Sequence, residues 1–382
     1  MSAASPVVSV GEPGFSDDGR LSLDIVTAHG VKHLFFDMHD AGMPSFDSIA
    51  STVGLLLGRG NAGINFGFPV SARTLEAVAA HCRCEVRSAK VATAVRHPAS
   101  SRVGLAFSGG FDSLMARDLL PAGTALLSLD FGGRFARERA MFSAFDSHVV
   151  GTNLVDIGLN RNSWSFMAAA NVLLRDSLGL ATLSFGTVTE ARPKYFRFGG
   201  QTQPVGSTMD AVTEMPIFNP VLGLTEVATA RYALTHYPAR VDDILKSVAN
   251  PGEEKAYRKQ LLLLAANAHA GNAVAPPADA LPAQPILTWG SSLAADFLSL
   301  YLMKHLGAGV VQKLYKQPVP DAAKLLVDKL ELNFFGRVNA NFYQGHDRSL
   351  QSGMYRKLLL AGVEPYGSQD FHEFAQVAAL LG

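Results

Sequence analysis

Val103-Gly-Leu-Ala-Phe-Ser108-Gly109-Gly110-Phe111-Asp112-Ser113 sets a short apolar strand, a glycine turn and a helix start in one unbroken stretch. The run Val103–Phe107 reads as a buried strand, and Ser113–Leu120 as the helix that follows. Two adjacent glycines let the backbone turn tightly and approach an anion with no Cβ in the way. Amides at a helix start then point at a phosphate, and the helix dipole adds to the attraction. Ser108 and Ser113 carry hydroxyls that can donate to phosphate oxygens. A carboxylate at Asp112 would repel a bare phosphate, so it makes most sense facing a Mg²⁺ held by that phosphate. A Walker A loop would need a Lys-Ser/Thr pair, which is absent.

Outward from this loop, apolar runs and helical periods alternate. Ala125–Asp130, Val149–Ile157 and Ala181–Phe185 read as strands, with helices at Phe135–Phe145 and Phe166–Leu178 between them. Strands spaced by helices of this length predict a parallel, doubly wound α/β sheet covered on both faces. On the N-terminal side, residues 1–20 read as a loose lead-in. Val31–Met38 is a strand, Phe46–Leu57 a helix capped by Ser45, and Ser71–Cys82 a helix capped by Ser71. His97-Pro98-Ala99-Ser100-Ser101 is a candidate boundary. On the C-terminal side the pattern is helical: Thr225–Leu234, Glu253–His269, Ser291–Leu306, Ala308–Tyr315, Asp321–Lys329, Leu350–Ala361 and Asp370–Leu381. A Pro/Ala-rich run, Gly271–Pro285, interrupts it. The expected organisation is a small N-terminal α/β domain (1–98), a nucleotide domain (99–240) and a helical C-terminal region (241–382).

The Ser108–Ser113 hexapeptide resembles the S-G-G-x-D-S loop of the PP-loop ATP pyrophosphatases, in the same strand–loop–helix setting. Three further stretches resemble that family, and its 7-cyano-7-deazaguanine synthase branch in particular. Leu126–Glu138, with Asp130-Phe131-Gly132-Gly133-Arg134, is similar to the F-D-Y-G-Q-R-H segment after the second strand. Leu183–Glu190, with Gly186-Thr187, is similar to the strand-plus-glycine segment beside the α-phosphate. Met215–Glu226 is similar to the strand-to-helix step P-L…K-x-E.

The resemblance spans Val103 to Tyr232 and implies a HUP-like (adenine nucleotide α-hydrolase-like) fold that binds ATP with Mg²⁺. Phe107, Ser108, Gly109, Gly110, Asp112, Ser113, Asp130, Phe131, Gly186 and Thr187 would bind the nucleotide, with Asp112 toward the Mg²⁺. Gripping the β- and γ-phosphates leaves the α-phosphorus open to a substrate oxygen. AMP is then transferred and pyrophosphate leaves. Charge neutralisation carries such chemistry, so Asp112, Arg134 and Lys194 are the candidate catalytic residues. Arg137, Arg192 and Arg197 lie in the same two basic stretches; each is otherwise a solvated surface charge. The chain departs from the branch in having no cysteine after Cys84, so the four-cysteine zinc site is missing and no zinc is expected. Gly223 and Leu224 stand where the segment's lysine would be.

Composition narrows the alternatives. Hydrophobic residues make up 48 % and charged residues 17 %, which calls for a large buried core. Thirty-three basic residues balance 33 acidic ones, against a duplex-coating protein. Two cysteines in C-x-C spacing cannot staple the chain, and there is no signal-like or membrane-spanning run, so a cytoplasmic protein without membrane contact is expected.

Gly58-x-Gly60-x-x-Gly63 matches a dinucleotide fingerprint but follows a helix-like run and precedes an extended one, the reverse of the required order. Asp37, His39 and Asp40 form either a turn or one half of a metal site. Cys82 and Cys84 read as partly buried thiols on a helix-to-strand passage. Asn339, Asn341, Tyr343, His346 and Asp347 form a polar cluster that faces either the active site or solvent.

Three functions fit these features. The first is an AMP-forming ligase acting on a carboxylate or carbonyl oxygen of a small molecule, a deazaguanine-type base or a protein end. The second is a PP-loop enzyme modifying tRNA by thiolation or lysidine formation. The third is a non-catalytic ATP-binding subunit working with partner proteins of the same operon in a defence-type system.

Overall fold

The computed structural model describes residues 6–39, 41–94, 100–197, 207–250, 252–269 and 285–382. His97, Pro98 and Ala99 of the expected boundary, the candidate ligand Asp40 and residues 271–284 of the Pro/Ala-rich run lie outside these described residues. So does the side chain of Arg197. Two compact units divide the chain. One takes residues 1–108, 122–184 and 204–218; the other takes 109–121, 185–203 and 219–382. They interleave along the sequence, unlike the consecutive segments 1–98, 99–240 and 241–382 that the sequence suggests.

The first unit is built on a ten-stranded sheet. In chain order the strands are β1 (Val7–Val10), β2 (Gly14–Phe15), β3 (Arg20–Thr27), β4 (Gly30–Asp37), β5 (Gly63–Phe66), β6 (Val70–Ser71), β7 (Glu85–Ser88), β8 (Val91–Ala92), β9 (Arg102–Ala106), β10 (Ala125–Asp130), β11 (His148–Thr152) and β12 (Leu180–Phe185). The sheet runs β12-β9-β10-β11-β4-β3-β1-β5-β7, with β2 paired to β3, and β6 and β8 make a separate small ladder. The sequence pattern explains the split character of this sheet. β10 (ALLSLD) is buried over five consecutive residues, as a strand covered on both faces must be, and it runs parallel to β9 and β11. β3 (RLSLDIVT) alternates instead: Leu21, Leu23 and Ile25 are buried while Ser22, Asp24 and Val26 point outward. It pairs antiparallel with β4 over its whole length.

Three expectations change here. The N-terminal strands do not form a sheet of their own. β4 pairs antiparallel with β11 through Gly151–Asp37 and Thr152–Phe36, so the sheet is parallel over β9–β11 and over β1, β5 and β7, with an antiparallel middle. The lead-in is not loose: Val8 and Val10 are buried in β1, which lies between β3 and β5. The strand expected over Val149–Ile157 stops at Thr152. Beyond it the Asn153 side chain takes over the pairing, accepting from the Phe35 amide (3.1 Å) and donating to the His33 carbonyl (2.8 Å).

The two N-terminal helices form where their caps predict. Ser45 and Ser71 accept from the amides of Ser48 and Thr74 at the heads of Phe46–Leu57 and Ala72–Cys82. Gly54 faces Val78 between these helices, where a Cβ would sit 2.9 Å from a valine methyl. The expected helices Phe135–Phe145 and Phe166–Leu178 are each broken. The first becomes a 3₁₀ segment, Gly133–Glu138, and a short helix, Arg139–Ala144. The second becomes Trp164–Ala168, Ala169–Leu173 and Arg175–Leu178.

The second unit is helical among the described residues, apart from the end of β12 at Phe185. The helix Phe111–Leu119 packs against Glu226–His236 and against Arg348–Leu360. Glu226–His236 in turn packs on Glu254–His269, which lies on Leu293–Leu306. A cluster of buried rings fills the interior of this unit. Phe297 lies 4.4 Å from Phe335 and 4.8 Å from Phe196, with Phe334 and Phe374 adjoining. No helix among the described residues is long and apolar enough to cross a membrane.

Candidate functional site

The head of the Phe111–Leu119 helix is built by three backbone features. Gly109 takes a left-handed φ of 75°, Gly110 is the N-cap residue, and both are buried. Gly186, just after β12, lies against the first turn: a Cβ there would stand 2.8 Å from the Ser113 amide nitrogen and 3.0 Å from the Asp112 carbonyl carbon. Glycine at 186 is therefore a requirement of close backbone approach. The Ser113 hydroxyl donates to the Gly110 carbonyl (3.0 Å), closing the turn on itself.

The segments that resemble one another's neighbours in the sequence also run together. The Leu183 amide donates to the Pro216 carbonyl (3.0 Å), and the Phe218 amide to the Leu183 carbonyl (2.9 Å). Further on, the Phe185 amide donates to the Asn219 side chain (2.9 Å), and the Thr189 amide and hydroxyl donate to the carbonyls of Leu224 (2.9 Å) and Leu222 (2.8 Å). This pairing delivers Glu190 to the N-terminus of the Glu226–His236 helix, where its Oε1 accepts from the Glu226 amide (2.7 Å).

Four ionisable side chains meet in this interior: Asp112, Glu190, Glu226 and Lys259. Lys259 comes from the Glu254–His269 helix and is ion-paired with Glu226. Thr229 Oγ1 donates to Asp112 Oδ1 (2.5 Å). Burial pushes the Asp112 carboxyl up from its ordinary range; Lys259, the Thr229 hydroxyl and Lys255 act against that. Glu190 is pushed up to about 8, by burial first and then by the neighbouring Asp112 charge. Burial pulls the Lys259 ammonium down, opposed by Asp112 and Glu190. Among the described residues no group of three or more His, Cys, Asp and Glu side chains is placed to hold a metal ion.

The other expected site residues are placed as follows. In the sheet unit, Phe107 is buried, its carbonyl accepting from Ser128 Oγ (2.7 Å), and Ser108 is half-buried at the unit's end. Asp130 accepts from the Gly132 amide (2.9 Å) and from Arg139 Nε (2.6 Å). Phe131 sets its ring edge-on to Phe135 and Phe166. Arg134 is exposed, its guanidinium 4.8 Å above the Phe135 ring. In the helical unit, Gly186 and Thr187 are half-buried, and Lys194 is exposed with its ammonium 5.0 Å from the Tyr195 ring centre. Within that unit, then, the structure brings Gly109, Gly110, Asp112, Ser113 and Gly186 together, while Asp130, Phe131 and Arg134 make a turn of their own in the sheet unit.

The remaining candidates take local roles. Gly58 and Gly60 have left-handed φ after a helix and before β5, so the G-x-G-x-x-G stretch is a glycine turn. Asp37 pairs with Arg20, and His39 adopts a left-handed φ of 50°. Cys82 ends a helix, donating to the Gly54 carbonyl (3.3 Å), and burial pushes its thiol up to about 12; Cys84 follows on the passage into β7. In the polar cluster, Tyr343 is buried between the Pro220 carbonyl (2.7 Å) and the Gly223 amide (3.0 Å), and the Asn339 amide donates to the Gly223 carbonyl (2.7 Å). Asp347 caps the Arg348–Leu360 helix. Comparison with protein-family models, curated proteins and solved structures finds no match to the chain.

Proposed function

We propose that the Ser108–Ser113 loop binds the phosphates of ATP with Mg²⁺ and that the protein is an AMP-forming ligase of the PP-loop, HUP-like kind. The observation that carries this reading is the contact of Gly186 with the Ser113 amide. Two motif segments far apart in sequence, each read as phosphate-facing, meet at one helix head with no side chain between them. A left-handed Gly109 and a nine-residue helix with its dipole behind that head suit an anion. Asp112 would supply one oxygen to the Mg²⁺. Gly186 and Thr187 would lie beside the α-phosphate, and Lys194 would offset the charge of the departing pyrophosphate. The acceptor is a carboxylate or carbonyl oxygen that receives AMP and is then attacked by a nitrogen nucleophile.

The Thr229 bond to Asp112 and the upward displacement of that carboxyl favour one second reading, an ATP-binding subunit without turnover. Calorimetric titration of the protein with Mg-ATP tests what the two readings share. Asp112→Ala and Ser113→Ala should each weaken binding at least about tenfold. Unchanged affinity in both variants, with the fold intact, removes the loop from the assignment.

A further inference from the structure

The helical unit gathers three carboxyl groups, those of buried Glu190 and Glu226 and of half-buried Asp112, around one buried ammonium, Lys259. Carboxylates removed from water persist only where a cation or several hydrogen-bond donors meet them. Here the donors are few. Asp112 has the Thr229 hydroxyl, and Glu190 has the Glu226 amide on one oxygen while its buried Oε2 has no hydrogen-bond partner among the described residues. Nearby charges of the same helix point to other tasks. Lys255, one turn earlier, is exposed and acts on Asp112 from outside, and Arg258 is paired with Glu254. On the adjoining helix, Asp296 is held by Tyr315 and the Gly290 amide. Lys259 is the cation that comes from inside, and it reaches all three acids: Glu226 by direct contact, Asp112 and Glu190 by charge.

We propose that Lys259 is the shared counter-ion of Asp112 and Glu226, and through Asp112 a positioning residue of the Gly109–Ser113 turn. The link runs from the Glu254–His269 helix, through the Glu226–His236 helix that carries Glu226 and Thr229, to the head of Phe111–Leu119. These three helices pack in that order. Lys259 touches no phosphate in this scheme. It fixes where the Asp112 carboxylate stands, and it ties the turn to the helical body. The effect on nucleotide rests on the ATP reading above; the counter-ion role does not.

Four variants of the full chain separate the two: Lys259→Met, Lys259→Arg, Glu226→Gln, and the double Lys259→Met/Glu226→Gln. Thermal unfolding without nucleotide reads the counter-ion role. Removing the ammonium alone leaves a buried acid unpaired and should lower the unfolding temperature by several degrees. Removing both partners relieves Glu226 but leaves Asp112 without the ammonium, so the double variant should recover part of that loss, and Lys259→Arg a large part of it. Mg-ATP titration reads the positioning role. Lys259→Met should weaken binding about tenfold or more, Lys259→Arg by less than about threefold. The double variant should stay weak, because Asp112 still lacks its ammonium.

A double variant no more stable than Lys259→Met overturns the counter-ion role. If Lys259→Met does not fold, a folded double variant supports that role and an unfolded one overturns it. Wild-type affinity for Mg-ATP in Lys259→Met or in the double variant overturns the positioning role. A wild-type protein that binds no Mg-ATP discards the ATP reading and the positioning role with it, and the unfolding data still decide the counter-ion.

Discussion

Glu190 is 3 % exposed, and its displacement to about 8 carries a consequence for stability. In the unfolded chain its carboxyl titrates in the ordinary range, so between that range and pH 8 the folded protein holds a proton that the unfolded chain releases. A raised folded value means that stability is fully present below the unfolded pKa and is lost as pH rises toward 8. At about 1.4 kcal/mol per unit of displacement, a rise from 4.5 to about 8 corresponds to a loss of at most roughly 5 kcal/mol. Glu190→Gln cannot titrate and should unfold in urea at the same midpoint at pH 5.5 and pH 8.5, once other groups common to both proteins are subtracted. Parallel pH profiles for wild type and variant would remove Glu190 as the source. The residue was readable as part of a motif segment, yet its charge environment was not. Lys259 belongs to a helix whose next residues are Gln-Leu-Leu-Leu-Leu, and in sequence such a lysine looks like any helix-surface charge. What marks it is its place in the packing of three helices, and no local pattern records that.

Elements were legible wherever a local cap or turn fixes them. Ser45 and Ser71 stand directly before apolar helical runs, and each accepts the amide three residues on, at 3.1 Å and 3.3 Å. Ser45→Ala should cost about 1 kcal/mol of stability, measured as a shift in urea midpoint; a shift of zero would mean that the cap is replaced by another acceptor. Tyr343 illustrates the opposite case. Its hydroxyl donates to Pro220 and accepts from Gly223, and Gly223 is so enclosed that a Cβ would come within 2.4 Å of the Asn339 carbonyl oxygen. Tyr343→Phe leaves both backbone groups without that partner and should cost about 1–3 kcal/mol. Retention of wild-type stability would show that the turn holds without it. In sequence this tyrosine sits in a polar stretch with no periodicity, more than a hundred residues from the turn it secures. The broken helix after β10 was hidden for a different reason. Gly132 and Gly133 both take left-handed φ, which throws the chain into a 3₁₀ segment before helical hydrogen bonding resumes. Strand β11 ends early because Asn153 substitutes side-chain bonds for backbone ones, a choice that apolar patterning does not show.

At the scale of the whole molecule, the sheet's continuity was the least readable feature. The pairing of β4 with β11 joins positions more than a hundred residues apart in sequence, and neither strand carries a mark of its partner. The proposed activity, by contrast, makes one demand that any substrate must obey. A loop that holds the β,γ end of ATP, with no Walker lysine beside the γ-phosphate, leaves the α-phosphorus as the electrophile. Cleavage must then yield AMP and pyrophosphate. Incubation of the protein with Mg-ATP and candidate carboxylate or carbonyl acceptors, followed by chromatography of the nucleotides, reads the outcome directly. AMP should accumulate only when the true acceptor is present, because an adenylate open to water would be hydrolysed without use. Lys194→Ala should then lower the rate of AMP formation far more than it weakens Mg-ATP binding, since a group that offsets pyrophosphate charge acts mainly as the bond breaks. Equal losses in rate and affinity would make Lys194 a ground-state contact. Steady accumulation of ADP would take the protein out of the pyrophosphatase class altogether, and binding without any cleavage across a broad acceptor panel would leave the ATP-binding subunit as the reading that survives.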